Sequence, residues 1–219
     1  MSTKKMYRLG SREEWLEKRR GYIGGSEASS VIGKNPYLSN VELWEQKTGR
    51  RQPGDISDNP FVKYGHDAEQ YLRELFKLDF PEYKVEYVEN NLWINDKYPF
   101  AHASLDGWLT DKDGRTGVLE IKTTNILQSM QKEKWRDRIP DNYYVQVLHY
   151  MAVMEADFAC LKAQLKFDYD GDIVLTVRHY WIERKDVEGD LEYLMQAEGR
   201  FSEQLKGDRC PALILPEVI

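Results

Sequence analysis

Residues 104–124 read SLDGWLTDKDGRTGVLEIKTT, and this stretch decides the fold. Apolar and polar residues alternate in its first and last parts, which is typical of two strands. The Lys-Asp-Gly sequence at 112–114 favours a turn between them. We therefore predict a hairpin, and pairing of its two strands brings Asp106 near Glu120.

The second of these strands presents different side chains on its two faces. Because side chains alternate along a strand, Glu120 and Lys122 point to one face together with Val118. Leu119 and Ile121 point to the opposite face. A carboxylate and an ammonium group are thus presented side by side on the same face of this strand.

The predicted hairpin places two carboxylates together, and these repel each other unless a positive charge lies between them. Mg²⁺ meets this requirement, because it prefers oxygen ligands and is commonly held by one or two carboxylates together with substrate phosphates. Asp106 and Glu120 offer such ligands, and Lys122 would position or deprotonate a water or stabilise charge on a phosphate. Alternatively, Asp106 and Asp113 are turn residues and the Glu120 face is simply solvated. These residues alone do not decide between the two interpretations.

The rest of the chain alternates between helical and strand-like patterns. Capping residues, apolar residues three and four apart and terminating glycines predict helices at 12–20, 27–32, 40–48, 60–78, 143–154 and 187–205. Short alternating runs predict strands between 85 and 121, at 159–167 and at 173–182. The predicted fold class is therefore α/β (α+β), with a central mixed β-sheet flanked by helices.

Some side chains are assigned to caps and faces of these elements. Ser11 and Ser26 are predicted to cap the first two helices through their hydroxyl groups. Residues 50–59 hold Gly, Pro, Asp and Ser and are predicted to form a surface loop. The inner face of the fourth helix is predicted to lie along Phe61, Ala68, Leu72 and Phe76.

The charge of the chain is unevenly distributed. Its 219 residues include 31 Lys and Arg and 37 Asp and Glu, giving a formal net charge of −6. Residues 155–219 hold 14 acidic and 8 basic residues, whereas residues 1–34 hold 4 acidic and 8 basic residues. A basic N-terminal region of this kind can bind phosphates, and we expect the acidic end to face away from them.

Composition excludes several other classes of protein. Cys160 and Cys210 lack the spacing of a zinc knuckle or an iron–sulfur cluster, so both are predicted to be free, buried thiols. No stretch approaches the roughly 18 apolar residues of a membrane span, which favours a cytoplasmic location without a membrane partner. None of the four histidines has a partner at metal-ligand spacing, although His102 shares the face of Asp106 as a candidate supporting residue.

Residues 132–138 read KEKWRDR, in which Trp135 lies among four basic residues. Interleaved basic and aromatic side chains are typical of segments that bind a nucleic-acid strand. The alternative is a solvated linker, and the sequence favours neither interpretation.

Two further segments accompany the pattern of Asp106 and EIK at 120–122. Residues 65–69 read GHDAE, and residues 146–150 read QVLHY. Together the three patterns resemble the PD-(D/E)xK nuclease core with the GxxxE and QxxxY helix motifs of the RecB and lambda-exonuclease branch. Leu105 stands where that core often has proline. All the motifs occur in the expected order.

The N-terminal segment narrows this resemblance. Trp15, Arg19 and Gly21, followed by YIGGSEASSVIGKNPY and LWEQKTG, closely resemble the opening of the YqaJ-like viral recombinase family. The resemblance covers residues 15–154 and implies a restriction-endonuclease-like nuclease core. The whole chain, 1–219, is then predicted to be one nuclease domain. Its parts are an N-terminal helical DNA-end-binding segment, the core motifs and a C-terminal strand and helix, at 1–58, 59–167 and 168–219.

The resemblance also implies roles for individual residues. Lys122 would act on the attacking water, Gln146 would contact the scissile phosphate or its water, and Tyr150 would support the site. From the residues alone, Glu69 would make a boundary salt bridge, and the Gln146–Tyr150 pair a hydrogen bond at the edge of the core. The implied metal ligands are Asp106, Glu120, the Ile121 carbonyl and Glu69.

A site for a terminal 5′-phosphate is a further expectation. A cap serine at a helix N-terminus beside an arginine is suited to bind phosphate, which fits Ser26 and Arg19. The resemblance assigns this role to both residues together with Ser104. The alternative for Ser26 is a simple N-cap, and the alternative for Arg19 is a solvated helix end.

The function implied by the resemblance is a Mg²⁺-dependent deoxyribonuclease, with Mn²⁺ as an alternative cation and no iron–sulfur cluster or nucleotide. It would degrade double-stranded DNA 5′ to 3′ from phosphorylated ends during recombination by strand annealing. The implied partners are DNA ends, a single-strand annealing protein and further copies of the chain in a ring trimer. The gene would belong to a bacterial host or its prophage. The alternatives are an endonuclease or nickase on the same core, and a DNA-end-binding module without catalysis.

Overall fold

The fold combines two β-sheets with seven α-helices in the part of the chain described here, residues 3–56, 58–127 and 129–215 of a computed structural model. The helices are α1 (Arg12–Arg19), α2 (Gly25–Val31), α3 (Asn40–Lys47), α4 (Pro60–Asp79), α5 (Ser129–Lys134), α6 (Asp141–Met154) and α7 (Glu188–Lys206). The strands are β1 (Lys4–Arg8), β2 (Ile23–Gly24), β3 (Lys84–Glu86), β4 (Asn91–Asn95), β5 (Ala101–Ala103), β6 (Gly107–Thr110), β7 (Thr116–Ile126), β8 (Phe158–Tyr169) and β9 (Asp172–Glu183).

The strands form two mixed sheets. The larger has the order β3-β6-β7-β8-β9, and only β7 and β8, which are joined through α6, run parallel. The smaller has the order β1-β4-β5-β2. This arrangement confirms the mixed α/β class, but the strands between 85 and 121 divide between two sheets instead of belonging to one central sheet. Strand β1 was not predicted, because its sequence KKMYR shows no clear alternation.

Helices cover both faces of the larger sheet. Leu119 and Ile121 pack against Leu72 and Phe76 of α4, and Val118 belongs to the cluster that contains Val147, Met151 and Leu161. The predicted alternation along β7 is therefore confirmed.

The predicted inner face of α4 is correct except at its first residue. Phe61 is 56% exposed, whereas Ala68 packs on the cluster of Leu72 and Phe76. Gly65, one turn beyond Phe61, lies against β7, where a Cβ would be 3.0 Å from the Thr123 hydroxyl oxygen. Phe61 is excluded from the core because it lies a full turn before this contact.

The N-terminal helices begin at different kinds of cap. The Ser11 hydroxyl accepts a hydrogen bond from the Glu14 amide (3.2 Å), as predicted. The predicted cap at Ser26 is wrong, because α2 begins at Gly25 and Gly24 is its N-cap. Gly24 has no side chain to accept a hydrogen bond, and its own amide donates to the Glu27 carboxylate (2.9 Å).

Three further predictions concern the two cysteines, the surface loop at 50–59 and membrane-spanning helices. Cys160 is a buried free thiol, but Cys210 is exposed in the segment that follows α7, which corrects the prediction for that residue. The described residues of the loop 50–59 are exposed as predicted, and Ser57 lies outside the described residues. No helix within the described ranges is long and apolar enough to cross a membrane.

Candidate active site

The β6–β7 hairpin brings the first two predicted residues together. Gly107 pairs with Leu119 in the antiparallel register, so Asp106 stands opposite Glu120 where the ladder ends. The Ile121 amide donates to Oδ2 of Asp106 (2.8 Å), which fixes this carboxylate against β7. Glu120 is only 1% exposed. The hairpin prediction is confirmed.

Lys122 lies directly beside Glu120. Its Nζ is 2.6 Å from Oε1 of Glu120, as expected for neighbours on one face of a strand. Burial alone would lower the pKa of Lys122, but the Glu120 and Asp106 carboxylates outweigh this effect and raise it above its usual value. Lys122 therefore remains a cation at neutral pH.

Helix α6 contributes the Gln146 amide to the same carboxylate, with the Tyr150 phenol beside that amide. The Gln146 side chain donates to Oε1 of Glu120 (2.7 Å) and also lies 3.2 Å from the Tyr150 hydroxyl. The spacing of four residues places both side chains on one face of α6. A phosphate-contacting role for Gln146 stays a prediction, and the observed contacts orient Glu120.

Helix α4 brings Glu69 and an unpredicted arginine. The Arg73 guanidinium donates to the Asp106 carbonyl (2.6 Å), lies 3.4 Å from Oε1 of Glu69, and stacks 3.6 Å from the centre of the Tyr87 ring. Burial and the nearby Asp106 charge raise the pKa of Glu69 to about 7, although Arg73 opposes this shift. The four-residue spacing of Glu69 and Arg73 is the sequence signal that identifies this partner.

Negative charge accumulates at this site. Burial and the Asp106 charge raise the pKa of Glu120 to about 8, and burial also raises the pKa of Asp106. Oε2 of Glu120 is buried and has no hydrogen-bond partner among the described residues. A buried carboxylate oxygen without a donor, beside a second carboxylate, is a ligand set that fits a hard divalent cation.

The sequence also predicted Glu69 as a metal ligand. Within residues 3–56, 58–127 and 129–215, no three His, Cys, Asp or Glu side chains lie close enough to hold a metal ion by themselves. Asp106 and Glu120 are thus the pair that the hairpin places together, and Glu69 is held by Arg73. Ligation by Glu69 and by the Ile121 carbonyl stays a prediction.

Two of the three residues predicted to bind a 5′-phosphate, Arg19 and Ser104, contact Trp15. The indole N–H of Trp15 donates to the Ser104 hydroxyl (3.0 Å), and the Arg19 guanidinium lies 4.4 Å from the centre of the Trp15 ring. Arg19 also approaches Gly24, where a Cβ would lie 3.3 Å from Nη2. Ser26 is exposed in the first turn of α2. Binding of a 5′-phosphate by Arg19, Ser26 and Ser104 stays a prediction.

A second buried polar cluster joins α6 to α7 and to β5. His149 contacts Glu198 of α7 through Nδ1 (2.8 Å) and the His102 carbonyl through Nε2 (2.8 Å). The His102 ring is buried beside Gly24, where a Cβ would lie 2.7 Å from its Nε2. His102 therefore packs on β2 at Gly24, close to Arg19.

The raised carboxyl pKa values predict how the metal-free protein responds to pH. The folded state holds protons on Glu120 up to about pH 8 and on Glu69 up to about pH 7, whereas the unfolded chain releases them near 4.5. The free energy of unfolding should therefore fall as pH rises from about 5 to about 8, by about 1.4 kcal/mol per pH unit for each proton. Urea unfolding in EDTA measures this slope. Glu120→Gln should remove the contribution of one proton, and identical slopes for both proteins would contradict the assignment.

The fold has been seen in exonucleases. The alkaline exonuclease LHK-Exo from Laribacter hongkongensis has a TM-score of 0.60 and 18% identity over 89% of this chain and 95% of its own. A phage-related exonuclease from Haemophilus somnus 129PT has a TM-score of 0.57 and 13% identity over 85% of this chain and 96% of its own. At these identities the similarity establishes a shared fold.

Sequence comparison identifies the family. The uncharacterized protein YqaJ of Bacillus subtilis (strain 168) is 31% identical over 208 residues, which is 93% of this chain. The chain spans 59% of the length of that relative. The model of the YqaJ-like viral recombinase domain matches residues 14–157, which include all the candidate catalytic residues. The chain therefore belongs to the YqaJ-like viral recombinase family.

Proposed function

We propose that the protein is a divalent-cation-dependent deoxyribonuclease that degrades double-stranded DNA 5′ to 3′ from phosphorylated ends, in recombination by strand annealing. The observation that carries this proposal is the pairing of Asp106 with Glu120, with the Lys122 ammonium 2.6 Å from Glu120. Membership of a recombinase family and a fold shared with exonucleases support it.

The cation would be held by Asp106, Glu120 and the Ile121 carbonyl, with Glu69 as a further ligand or the holder of a second ion. Mg²⁺ bound there would supply an activated water and neutralise charge on the phosphate, and Mn²⁺ is the alternative cation. Among these groups, the buried Glu120 Oε2 is the atom whose missing partner the cation would replace.

The other residues of the site supply positive charge or hold the proposed metal ligands in position. Lys122 keeps its proton, so it stabilises developing negative charge and orients the water instead of abstracting its proton. Gln146 fixes the Glu120 carboxylate by its hydrogen bond. Arg73 ties the Asp106 backbone to α4, which keeps the two carboxylates in register.

Arg19, Ser26 and Ser104 would recognise the phosphorylated end. A guanidinium and two hydroxyls supply hydrogen-bond donors to phosphate oxygens, and Trp15 holds two of these three side chains in place. Recognition of an end distinguishes an exonuclease from an endonuclease on the same core. We further propose a single-strand annealing protein and a ring of three copies as partners, in the bacterial cytoplasm.

The deciding experiment uses linear duplex DNA labelled at either end, with and without a 5′-phosphate, beside a closed circular duplex. Release of mononucleotides from phosphorylated ends in Mg²⁺, prevented by EDTA, would support the exonuclease. Cutting of the circle would support an endonuclease. Binding without cleavage in Mg²⁺ and in Mn²⁺ would indicate a DNA-end-binding module.

Cation binding can be tested without any catalysis. A cation that binds only the folded protein stabilises it by about 2.7 kcal/mol at 100 times its dissociation constant. Mg²⁺ or Mn²⁺ should therefore raise the Tm of the wild type but not that of Asp106→Asn. Asp113→Asn, a change of the same kind in the exposed turn, is the matched control. Equal shifts in all three proteins would exclude the proposed ligands.

A further inference from the structure

His102 is a buried histidine whose ring nitrogens make no hydrogen bond. It lies in the middle of β5 and is 2% exposed, and neither Nδ1 nor Nε2 has a hydrogen-bond partner among the described residues. Its backbone is fixed, because the His102 carbonyl accepts a hydrogen bond from Nε2 of His149 (2.8 Å). A buried polar group without a partner is uncommon in native proteins and requires an explanation other than packing.

The imidazole faces the segment that holds Arg19. His102 pairs with Gly24 of β2 in the parallel register, and its Nε2 would lie 2.7 Å from a Cβ at Gly24. Nη2 of Arg19 would lie 3.3 Å from the same Cβ. Glycine, which has no Cβ, permits this close approach. The ring nitrogen and the guanidinium are therefore neighbours beside one backbone position.

Arg19 is available to bind an anion. Its guanidinium stacks on the Trp15 ring, 4.4 Å from the ring centre, and in the described ranges no carboxylate forms an ion pair with it. Ser104, which accepts a hydrogen bond from the Trp15 indole (3.0 Å), lies two residues beyond His102 in the sequence. His102 thus stands close to two of the residues that are predicted to bind a 5′-phosphate.

The other charged groups that surround His102 form two pairs. Nζ of Lys47 in α3 lies 2.8 Å from the carboxylate of Glu27 in α2. Nδ1 of His149 in α6 lies 2.8 Å from the carboxylate of Glu198 in α7. Each of these carboxylates has a basic partner of its own, so neither offsets the charge of the guanidinium beside His102.

The His102 ring is neutral in the free protein. Burial lowers its pKa well below the usual value, and the charges of Arg19, His149 and Lys47 lower it further. The phenol ring of Tyr22 also faces the imidazole, with ring centres 6.4 Å apart. Because positive neighbours contribute to the lowered pKa, an anion bound at Arg19 would oppose this effect.

The charge on a bound phosphate determines how strongly it acts on His102. A phosphomonoester carries a charge of about −1.5 to −2 at pH 7, because its second pKa is about 6. An internal phosphodiester carries a single negative charge. The charge of Arg19 alone balances a diester, whereas a monoester is balanced only when a second positive charge is added.

We propose that His102 is a specificity-determining residue, which takes up a proton when a terminal 5′-phosphate binds at Arg19 and so favours a phosphomonoester over an internal phosphodiester. The inference rests on the proposed nuclease function and explains how an end is recognised. The proton comes from solvent and goes to the ring nitrogen that lacks one. The imidazolium and the guanidinium together then match the two charges of the phosphate, and the proton returns to solvent when the phosphate leaves.

Proton uptake is measured by calorimetry in EDTA, where no cleavage can occur, in two buffers that differ in ionisation enthalpy. The ligands are a short blunt duplex with a 5′-phosphate and the same duplex with a 5′-hydroxyl. Their difference removes the protons that the carboxylates around Glu120 take up with either duplex. The wild type should take up about one more proton with the phosphorylated duplex at pH 7. Equal uptake with both duplexes would overturn the proposal.

Substitution identifies the group that takes up the proton. His102→Gln keeps a neutral polar side chain that cannot be protonated, and it should abolish the extra uptake. His179→Gln is the matched control, because burial also lowers the pKa of His179, which contacts Phe76 and Phe80 on the α4 face of the larger sheet. The control should keep the wild-type uptake, and urea unfolding shows whether each variant is folded. Undiminished uptake in folded His102→Gln, or equal loss in both variants, would overturn the assignment.

The same proton predicts a pH dependence that requires no variant. The ratio of wild-type affinities for the phosphorylated and hydroxyl duplexes should rise as pH falls from 8 to 6.5, because the bound state holds the extra proton. The limiting slope for one proton is about tenfold per pH unit. The range stops above about pH 6, where the phosphate itself becomes protonated. A ratio that does not change with pH would contradict the proposal.

NMR observes the protonation directly if His102→Gln does not fold. The chain has four histidines, and the Cε1–H signal of His102 is assigned by replacing the other three in turn. This signal should move to the position of an imidazolium with the phosphorylated duplex and stay at that of a neutral ring with the hydroxyl duplex. A signal in the same position with both duplexes would overturn the proposal.

The two proposals fail in different ways. Hydrolysis of phosphorylated ends by the wild type, without extra proton uptake, would exclude the role of His102 and leave the nuclease intact. Absence of hydrolysis in Mg²⁺ and in Mn²⁺ would exclude the nuclease, whatever proton uptake is measured.

Discussion

Replacing Lys122 by alanine will lower DNA hydrolysis by about 10²- to 10³-fold, which is the usual effect of removing one group that stabilises charge in a transition state. The reason is the position of its Nζ, 2.6 Å from Oε1 of Glu120, and its raised pKa, which keeps it protonated. Initial rates on phosphorylated linear duplex, at saturating DNA and Mg²⁺, measure the effect on kcat.

Two further substitutions separate charge from structure. Lys122→Met keeps the length of the side chain without its charge and should be as inactive as the alanine variant. Lys122→Arg keeps the charge and should retain more activity than either. Urea unfolding of each variant tests whether the fold survives. If Lys122→Met hydrolyses DNA at the wild-type rate while folded, charge stabilisation by this residue is excluded.

Replacing Glu198 by alanine will lower the free energy of unfolding by about 3–5 kcal/mol, the cost of removing one partner from a buried ion pair. Glu198 and His149 are both fully buried, 2.8 Å apart, and connect α7 to α6. Burial alone would lower the pKa of His149, but the Glu198 carboxylate raises it. The truncation leaves this imidazole with only the His102 carbonyl as a partner. Urea denaturation at pH 7 measures the loss.

Conservative changes at the same pair identify the cause. Glu198→Gln preserves a hydrogen bond to His149 and should cost less than the truncation. His149→Leu combined with Glu198→Leu removes both polar groups at similar volume and should cost less than the sum of the two single changes. Strict additivity, or a loss below about 1 kcal/mol for Glu198→Ala, would show that the pair does not act as a unit.

The core of the candidate site could be predicted because it depends on local rules. Asp106 and Glu120 meet through the register of one hairpin, and Lys122 follows from strand alternation alone. Gln146 and Tyr150 share a helical face by their spacing. Side-chain direction repeats every two residues along a strand and about every 3.6 residues along a helix. A sequence pattern therefore shows directly which residues share a face.

Other features depend on contacts between distant segments. His149 and Glu198 are 49 residues apart, and no sequence period connects them. The separation of the strands into two sheets depends on which edges find partners. The first residue of α2 must be a glycine because Tyr150 lies 2.4 Å from where the Cβ of Gly25 would be. Trp135 lies in a basic segment, yet it is buried by Tyr143 and Tyr180. The sequence around each of these residues does not reveal its distant partner.

The parallel pairing of β7 with β8 has a consequence for the order of assembly. The β6–β7 hairpin closes a short loop and can form early, whereas β8 pairs with β7 only after α6 has crossed between them. Non-local pairings of this kind form slowly, because the entropy of closing the loop is lost before any contact is gained. A nascent chain can therefore display Asp106, Glu120 and Lys122 before Gln146 has docked on them. The proposed site would then be complete only once α6 has docked on β7, so its assembly belongs to the late steps of folding.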